Sequence, residues 1–460
     1  MLVERSFTPG LAQVAYFVAD EAARQAAIID PRRDIGEYLA WLDRHGMTLA
    51  AICETHVHAD FVSGARELAA ATGAPVYAGR IGGTEFPHVP LEDGQDIAVG
   101  SLTLRAFWTP GHTPEHIAYL LFDPAQGSGP VALFSGDVLF AGEIGRPDLL
   151  GEEAQRNLIE QLHDTITRRL AALPDAVVVY PGHTAGSPCG KKIGDAPQTT
   201  IGREKAFNYA FNQPDKAAFM RVVMDGMPKP PAYYPFMKRV NKAGPALLAE
   251  LPAGRPLTPA ELDVARAGGA LVIDARPSEA FARGHVPGAA AVALGPSFAI
   301  WAGWLTPYDR EVVLVVDGRE RFEEARTELR RIGIDRVTGW LEGGMRSWSG
   351  AGKPVQTIDS LPVRAVAGKL ATGELSLLDV RDPAEWSEGA VPGSTNFSAG
   401  RIAQGALPDI GGGAVAVRCG GGYRSMVAAS LLQASGAEGI VNVEGGFSAW
   451  REAGLPISAN

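Results

Sequence analysis

The sequence predicts an α/β protein built from more than one domain. Short apolar runs rich in β-branched residues alternate with segments of helical spacing along the whole chain. The second half also repeats itself once, at a spacing too long for a solenoid unit and right for a small domain. With 460 residues and 46% hydrophobic content, two or three sizeable cores are expected.

In the first half the strand-like runs are Val14–Val18, Ala26–Ile29, Leu49–Glu54, Leu102–Phe107, Val131–Phe134 and Ala176–Tyr180. Helical spacing is clearest at Ile35, Leu39 and Leu42, and from Phe61 to Ala71. A polar, helical-looking stretch then leads to the Pro-rich run Met227–Pro235, and a boundary is placed near Ala253.

Beyond it, Leu271-Val-Ile-Asp-Ala-Arg-Pro277 lies on Leu377-Leu-Asp-Val-Arg-Asp382, and His285-Val-Pro-Gly288 on Ala390-Val-Pro-Gly393. Glu342-Gly-Gly-Met-Arg-Ser-Trp348 matches Glu444-Gly-Gly-Phe-Ser-Ala-Trp450, a period of about 102 to 105 residues. The expected domains are therefore 1–253, 254–357 and 358–460, with a linker near Val355 to Leu361.

A net charge of −10 with no cluster of Lys and Arg argues against nucleic acid, because binding phosphates requires one. No apolar run approaches the roughly 18 residues needed to span a bilayer, and the N-terminus lacks a basic segment followed by an apolar one, so a cytoplasmic protein is expected, with no membrane partner. Three scattered cysteines, Cys53, Cys189 and Cys419, make no disulfide framework and are read as reduced thiols. Cys53, inside a strand, is read as a small core residue. Whether copies associate as a homo-oligomer is left open.

Four apolar runs end in metal-ligand residue types. Thr55-His-Val-His-Ala-Asp-Phe61 offers His56, His58 and Asp60; Thr109-Pro-Gly-His-Thr113 offers His112; Phe134-Ser-Gly-Asp-Val138 offers Asp137; and Pro181-Gly-His-Thr184 offers His183. Imidazole and carboxylate suit zinc, iron or manganese, and two His with one carboxylate and open positions suit non-haem Fe(II).

The pattern His-x-His-x-Asp-His resembles the metallo-β-lactamase superfamily, whose two-metal hydrolases use the final His for a second ion. Here that place is Phe61, which disfavours a dinuclear hydrolytic site. Within the superfamily the first half is similar to the persulfide dioxygenases, a branch related to glyoxalase II, and so an αββα sandwich is implied. The resemblance implies one Fe(II) per chain, with zinc as the alternative, held by His56, His112 and Asp137. His58, Asp60 and His183 would then orient the ligands or their waters.

Four further residues are candidates for binding substrate. Arg146, just beyond Asp137, is read either as a fork that clamps a substrate carboxylate or as half of an ion pair. Lys205 and Asn208 either line the pocket or sit on a solvated helix face. Cys189 is either a sulfur relay or an incidental loop thiol.

In the third expected domain Ala414–Arg418 reads as a strand and Ser425–Leu432 as a helix, so Cys419-Gly-Gly-Gly-Tyr-Arg424 is the turn between them. Inward-pointing amides at a helix N-terminus, with Arg424 close by, would stabilise a thiolate, a persulfide or a thiosulfonate at Cys419. The loop resembles that of rhodanese sulfurtransferases, with Cys419 and Arg424 catalytic and four residues between them, where tyrosine phosphatases have five. In the earlier copy the repeat offset sets Asp317 against Cys419 and Phe322 against Arg424, which implies a silent rhodanese fold serving as spacer, docking surface or dimer contact.

The resemblances together imply a persulfide dioxygenase fused to two tandem rhodanese-like α/β domains. Its partners would be a low-molecular-weight thiol persulfide such as glutathione persulfide, O2, sulfite and thiosulfate. The rivals are a glyoxalase II-like thioester hydrolase with an attached sulfurtransferase, and a non-catalytic sulfur carrier or sensor.

Overall fold

The computed structural model describes residues 1–227 and 229–458. Pro228 of the Pro-rich run, and Ala459 and Asn460 at the end of the third expected domain, lie outside the described residues. The first compact unit comprises Met1–Glu250 with Arg330–Gly333, and the second Leu251–Leu329 with Ile334–Asn460.

Two six-stranded sheets form the middle of the first unit. In one, Leu2–Thr8, Gln13–Asp20, Gln25–Ile29, Thr48–Cys53, Val76–Gly79 and Val89–Leu91 neighbour each other in chain order. The first three pair antiparallel, and parallel pairing begins where the helix Gly36–His45 carries the chain from Gln25–Ile29 to Thr48–Cys53. The other sheet runs Thr199–Thr200, Val178–Pro181, Pro130–Gly136, Ile117–Phe122, Leu102–Trp108, Asp96–Val99.

Every residue of Gln13–Asp20 is buried because both faces of its sheet are covered. Val14, Tyr16 and Val18 face a core shared with Leu104, Tyr119 and Phe134 of the other sheet. The alternate residues Ala15, Phe17 and Ala19 pack with Tyr38, Trp41 and Leu68 from the helices Gly36–His45 and Ala65–Thr72. On the far side, Leu133 and Val179 pack with Ile159, Leu162 and Phe219 from Glu152–Asp164 and Lys216–Met224. The result is a helix–sheet–sheet–helix sandwich, with loops at the strand ends.

Helical spacing begins at Phe61, yet the helix starts at Ala65. The intervening residues hold the loop instead: Ser63 Oγ accepts from Ala65 N at 3.0 Å and donates to Glu54 at 2.8 Å. A Cβ on Gly64 would stand 2.1 Å from the Arg32 carbonyl oxygen, so the chain passes there only as glycine.

The second unit contains two all-parallel five-stranded sheets of the same order. The first is Arg255–Leu257, Val337–Leu341, Val312–Val315, Leu271–Asp274, Ala290–Ala291; the second is Asp359–Pro362, Ile440–Glu444, Val415–Arg418, Ser376–Asp379, Thr395–Asn396. One apolar cluster contains residues of both copies, from Val313 and Trp348 to Val417 and Met426. The helix Tyr423–Ala434 is apolar and buried nearly all round because it is packed between them. Its Ser430 Oγ accepts from Ala291 N at 2.9 Å, and Tyr423 Oη donates to the Ala293 carbonyl at 2.9 Å. No helix among the described residues is long and apolar enough to cross a membrane.

Candidate metal centre and sulfur-carrying loop

His56 follows Thr48–Cys53, His112 follows Leu102–Trp108, and Asp137 directly follows Pro130–Gly136. All three side chains are buried, and their ligand atoms lie within 4.8 Å of one another. His56 Nε2 and His112 Nε2 stand 3.9 and 3.7 Å from Asp137 Oδ2. Those separations are too long for hydrogen bonds and close to the ~3.4 Å between donors on a tetrahedral ion with ~2.1 Å bonds. Asp137 Oδ2 is buried with no hydrogen-bond partner among the described residues, a costly condition unless a cation fills it. The donor set fits one ion.

The surrounding bonds choose the ring tautomers. His112 Nδ1 donates to the Arg146 carbonyl at 2.8 Å, leaving the Nε2 lone pair for a metal. Thr55 Oγ1 donates to Asp30 Oδ2 at 2.8 Å, so it accepts from His56 Nδ1 at 2.9 Å and frees the second Nε2. Burial, reinforced for His56 by neighbouring imidazoles, lowers both rings below the ordinary histidine range and keeps them neutral, as ligands must be.

Asp137 spends its other oxygen on His183, Oδ1 to Nδ1 at 2.7 Å, and His183 Nε2 reaches Asp60 Oδ2 at 2.8 Å. Burial opposes a charge on His183, but the two carboxylates override it and raise the ring well above the usual value. Burial would likewise raise Asp137; the charged His183 holds it below the ordinary carboxylate range instead. Backbone must come close for this: a Cβ on Gly145 would meet the Asp137 carbonyl oxygen at 1.8 Å, and one on Gly182 would meet Asp137 Oδ1 at 2.8 Å.

His58 lies beside His56, ring centroids 4.3 Å apart, with Nε2 at 3.1 Å from Asp30 Oδ1 and 3.6 Å from Glu54 Oε2 and with Nδ1 unpartnered among the described residues. Burial works against its charge, but Asp30, Glu54 and Asp60 carry the ring up to about 9. Phe61 lies against it, ring centroids 4.3 Å apart.

Three residues that the sequence reading did not single out complete the centre. His116 Nε2 accepts from Asp137 N at 3.1 Å, and its ring stacks on His56 at 5.2 Å. Burial pushes it down to about 3, so it stays an acceptor. Its place four residues after His112 was the available signal. From the helix Tyr234–Ala243, Asn241 Nδ2 donates to the carbonyls of His58 and Phe61 at 2.9 and 2.7 Å, pinning the His-rich loop. One turn earlier, Lys238 Nζ donates to the Val57 carbonyl at 3.3 Å. Burial lowers its ammonium, whose charge acts on His56, His112 and His116.

The four substrate-binding candidates fare differently. Arg146 is fully buried with its fork on Asp148, both bonds 2.7 Å, and Nη1 on the Pro188 carbonyl at 3.0 Å, so it is no substrate clamp; it serves the site through its carbonyl. Lys205 Nζ is taken by Asp175 and the Leu173 carbonyl, at 2.7 and 2.8 Å. Asn208 is buried, not on a solvated face, and bonds Glu204 and the Glu143 carbonyl. Cys189 does reach the centre: its sulfur lies within 4.8 Å of ligand atoms of Asp60 and His183, and 3.9 Å from Tyr234 Oη. Burial, then the charges of Asp60 and Asp137, push its thiol well above the usual value.

In the second unit the Cys419 sulfur accepts from Gly422 N at 3.1 Å, across the turn into Tyr423–Ala434. Gly422 has φ +102°, which favours glycine. Phe447 N and Ser448 N bond the carbonyls of Cys419 and Gly420 at 2.8 and 3.0 Å, and a Cβ on Gly446 would stand 2.6 Å from either oxygen. Arg424 lies over the loop but grips Glu385 with both nitrogens, at 2.6 and 2.7 Å. Its charge is therefore balanced in place.

The earlier copy aligns otherwise than the repeat offset suggested. Asp274 pairs with Val315 and Asp379 with Arg418, so Val316, not Asp317, takes the place of Cys419. The left-handed glycines Gly318 and Gly422 then set Glu320 against Arg424, while Phe322 and Met426 fill equivalent core positions. The earlier loop is one residue shorter, has no thiol and carries Glu320 where the other has Arg424.

Residues 8–183 match the metallo-beta-lactamase superfamily, and residues 258–351 and 363–453 each match the rhodanese-like domain. A metallo-beta-lactamase structure from Staphylococcus aureus subsp. aureus COL is 34% identical, with a TM-score of 0.68, over 74% of this chain and 98% of that one. ETHE1 from Myxococcus xanthus is 29% identical over 53% of this chain and 99% of its own, with a TM-score of 0.46. Hydroxyacylglutathione hydrolase of Pseudomonas entomophila (strain L48) is 41% identical over 169 residues, 36% of this chain; the chain spans 60% of that protein. The chain thus belongs to the metallo-β-lactamase superfamily through its first half, with two rhodanese-like domains behind it.

Proposed function

We propose that the first domain oxidises a low-molecular-weight thiol persulfide with O2 and that Cys419 carries sulfane sulfur to or from the product. The observation that carries this reading is the buried His56, His112 and Asp137 donor set, whose Asp137 Oδ2 has no hydrogen-bond partner among the described residues, beside Phe61, which offers no donor. His58 Nε2 lies against Asp30 and Glu54, Asp60 Oδ2 bonds His183, His58 Nδ1 and Asp60 Oδ1 have no partner among the described residues, and Phe61 brings no donor.

The residues that would hold the ion are His56, His112 and Asp137. Bound there, Fe(II) would supply oxygen and sulfur coordination at one centre, for the overall change RSSH + O2 + H2O → RSH + H2SO3. Two neutral imidazoles and one carboxylate leave such a site a net +1, suited to an anionic persulfide. Lys238 adds a cation nearby, and Asp137, kept ionised by His183, does not compete for the substrate proton.

At Cys419, transfer of sulfane sulfur to sulfite would break the persulfide S–S bond, return the Cys419 thiolate and form the S–S bond of thiosulfate. The reverse direction would supply persulfide to the first domain. The loop amide on the sulfur suits the anionic forms of either step.

The second reading is thioester hydrolysis, favoured by the 41% identity to hydroxyacylglutathione hydrolase. Metal analysis with an oxygen electrode separates them. About one iron per chain, with O2 uptake that requires persulfide, is expected; stoichiometric zinc with thioester hydrolysis and no O2 uptake would replace this reading by the second.

A further inference from the structure

Beneath the Cys419 loop, two arginines share one carboxylate. Arg381 sits on Asp379 through Nε, 3.1 Å from each oxygen, and through Nη2 at 2.8 Å, with its remaining bonds to the Glu385 and Gly389 carbonyls. Arg418, the residue before Cys419, donates Nη2 to the same Asp379 Oδ2 at 2.6 Å. Arg418 is fully buried, and its Nε and Nη1 have no hydrogen-bond partner among the described residues. Both guanidinium groups stack on Phe447, at 4.1 and 4.4 Å, and Phe447 N holds the Cys419 carbonyl.

The silent copy keeps half of this device. Asp274 is gripped by Arg276, at 2.9 Å from Nε, as Asp379 is by Arg381. In the place of Arg418 stands Val315. The fold therefore needs the Asp–Arg pair and does not need a second arginine, although burying one with unpaired nitrogens is costly. The extra charge occurs in the copy that has the thiol.

The other charges around the thiol do not cancel it. Arg424 is matched by Glu385, and Asp382, 3.8 Å from Arg424, is exposed to solvent, as are Glu444 at the end of the adjacent strand and Arg451 beyond Phe447. Asp379, Arg381 and Arg418, all buried, leave one uncompensated positive charge. Burial lowers the Arg418 guanidinium to about 10, which keeps it charged at neutral pH.

We propose that Arg418 is a positioning residue of the sulfur-transfer site: its unmatched buried charge holds Cys419 and its persulfide in their anionic forms. The inference rests on the sulfur-carrying role of Cys419 for its purpose but not for its test, which reads the thiol directly.

The experiment is a pH titration of thiolate ultraviolet absorbance on the full-length protein, with the Cys419→Ser signal subtracted. Burial holds Cys53 and Cys189 well above the range where they would interfere. Arg418→Gln is expected to raise the Cys419 midpoint by about one pH unit, and Arg418→Lys to keep it near wild type. If Gln does not fold, Arg418→Val is the neutral substitute, since the silent copy already carries Val315 at that strand position. Asp379→Asn, which leaves two positive charges, is expected to move the midpoint down. An unchanged midpoint in a folded neutral variant, or an upward shift in Asp379→Asn, overturns the proposal. A shifted midpoint in a protein that transfers no sulfur would instead overturn the functional reading and leave this one standing.

Discussion

Asp137 holds His183 through Oδ1 at 2.7 Å while Oδ2, 3.9 and 3.7 Å from His56 and His112, has no hydrogen-bond partner among the described residues. One carboxylate thus divides its two oxygens between a charged ring and an ion. Asp137→Asn removes the anion but keeps the shape. The purified variant is expected to retain less than about a tenth of the wild-type metal, measured by elemental analysis, because one of three ligands becomes neutral and His183 loses its main counter-charge.

Phe61 sets an apolar ring beside His58 and next to Asp60, where the resemblance to two-metal hydrolases would put a histidine. Phe61→His restores it beside His58, 4.3 Å from the present ring, while Asp60 and His183 are already adjacent. The expected result is metal stoichiometry rising from about one toward two per chain, with persulfide-dependent O2 uptake falling. A variant that still binds one ion would mean that the bonds holding His58 and His183, not the missing imidazole, exclude the second.

Much of this site is legible in the sequence because each ligand follows an apolar run, and sheet topology brings strand ends together whatever the spacing between them. His56, His112 and Asp137 could be named for that reason, as could the Cys419 turn between a strand and a helix. Lys238 and Asn241 could not: they reach the loop from a helix about 180 residues later, and a helical pattern does not say which polar face meets a site. Of the two readings of Arg146, the structure shows the ion pair, because Asp148, two residues on, occupies its fork. The earlier copy misaligned because the repeat period drifts, and the residue lost lies in the loop that follows the strand.

His116 tests how far support beyond the ligands counts. Its Nε2 accepts the Asp137 backbone amide and its ring covers His56, yet it has no place in the donor set. His116→Ala is expected to weaken metal affinity roughly 10- to 100-fold in chelator competition, with the fold retained by circular dichroism. Unchanged affinity would reduce His116 to a packing residue.

Cys419→Ser is expected to abolish thiosulfate chemistry while leaving persulfide-dependent O2 uptake within about twofold, since no ligand of the metal centre belongs to the second unit. The sharper version moves the thiol. Val316→Cys, made in the Cys419→Ser background, sets a cysteine at the equivalent strand end of the silent copy. It is expected to restore no sulfur transfer, because the shorter loop ends in Glu320 where the active one has Arg424 and rises from Val315 where the active one has Arg418. Replacing Asp317 should change neither activity, as it corresponds to no catalytic position. Measurable sulfur transfer by the Val316→Cys protein would show that a thiol at that strand end suffices and that the glycine loop and its arginines are dispensable.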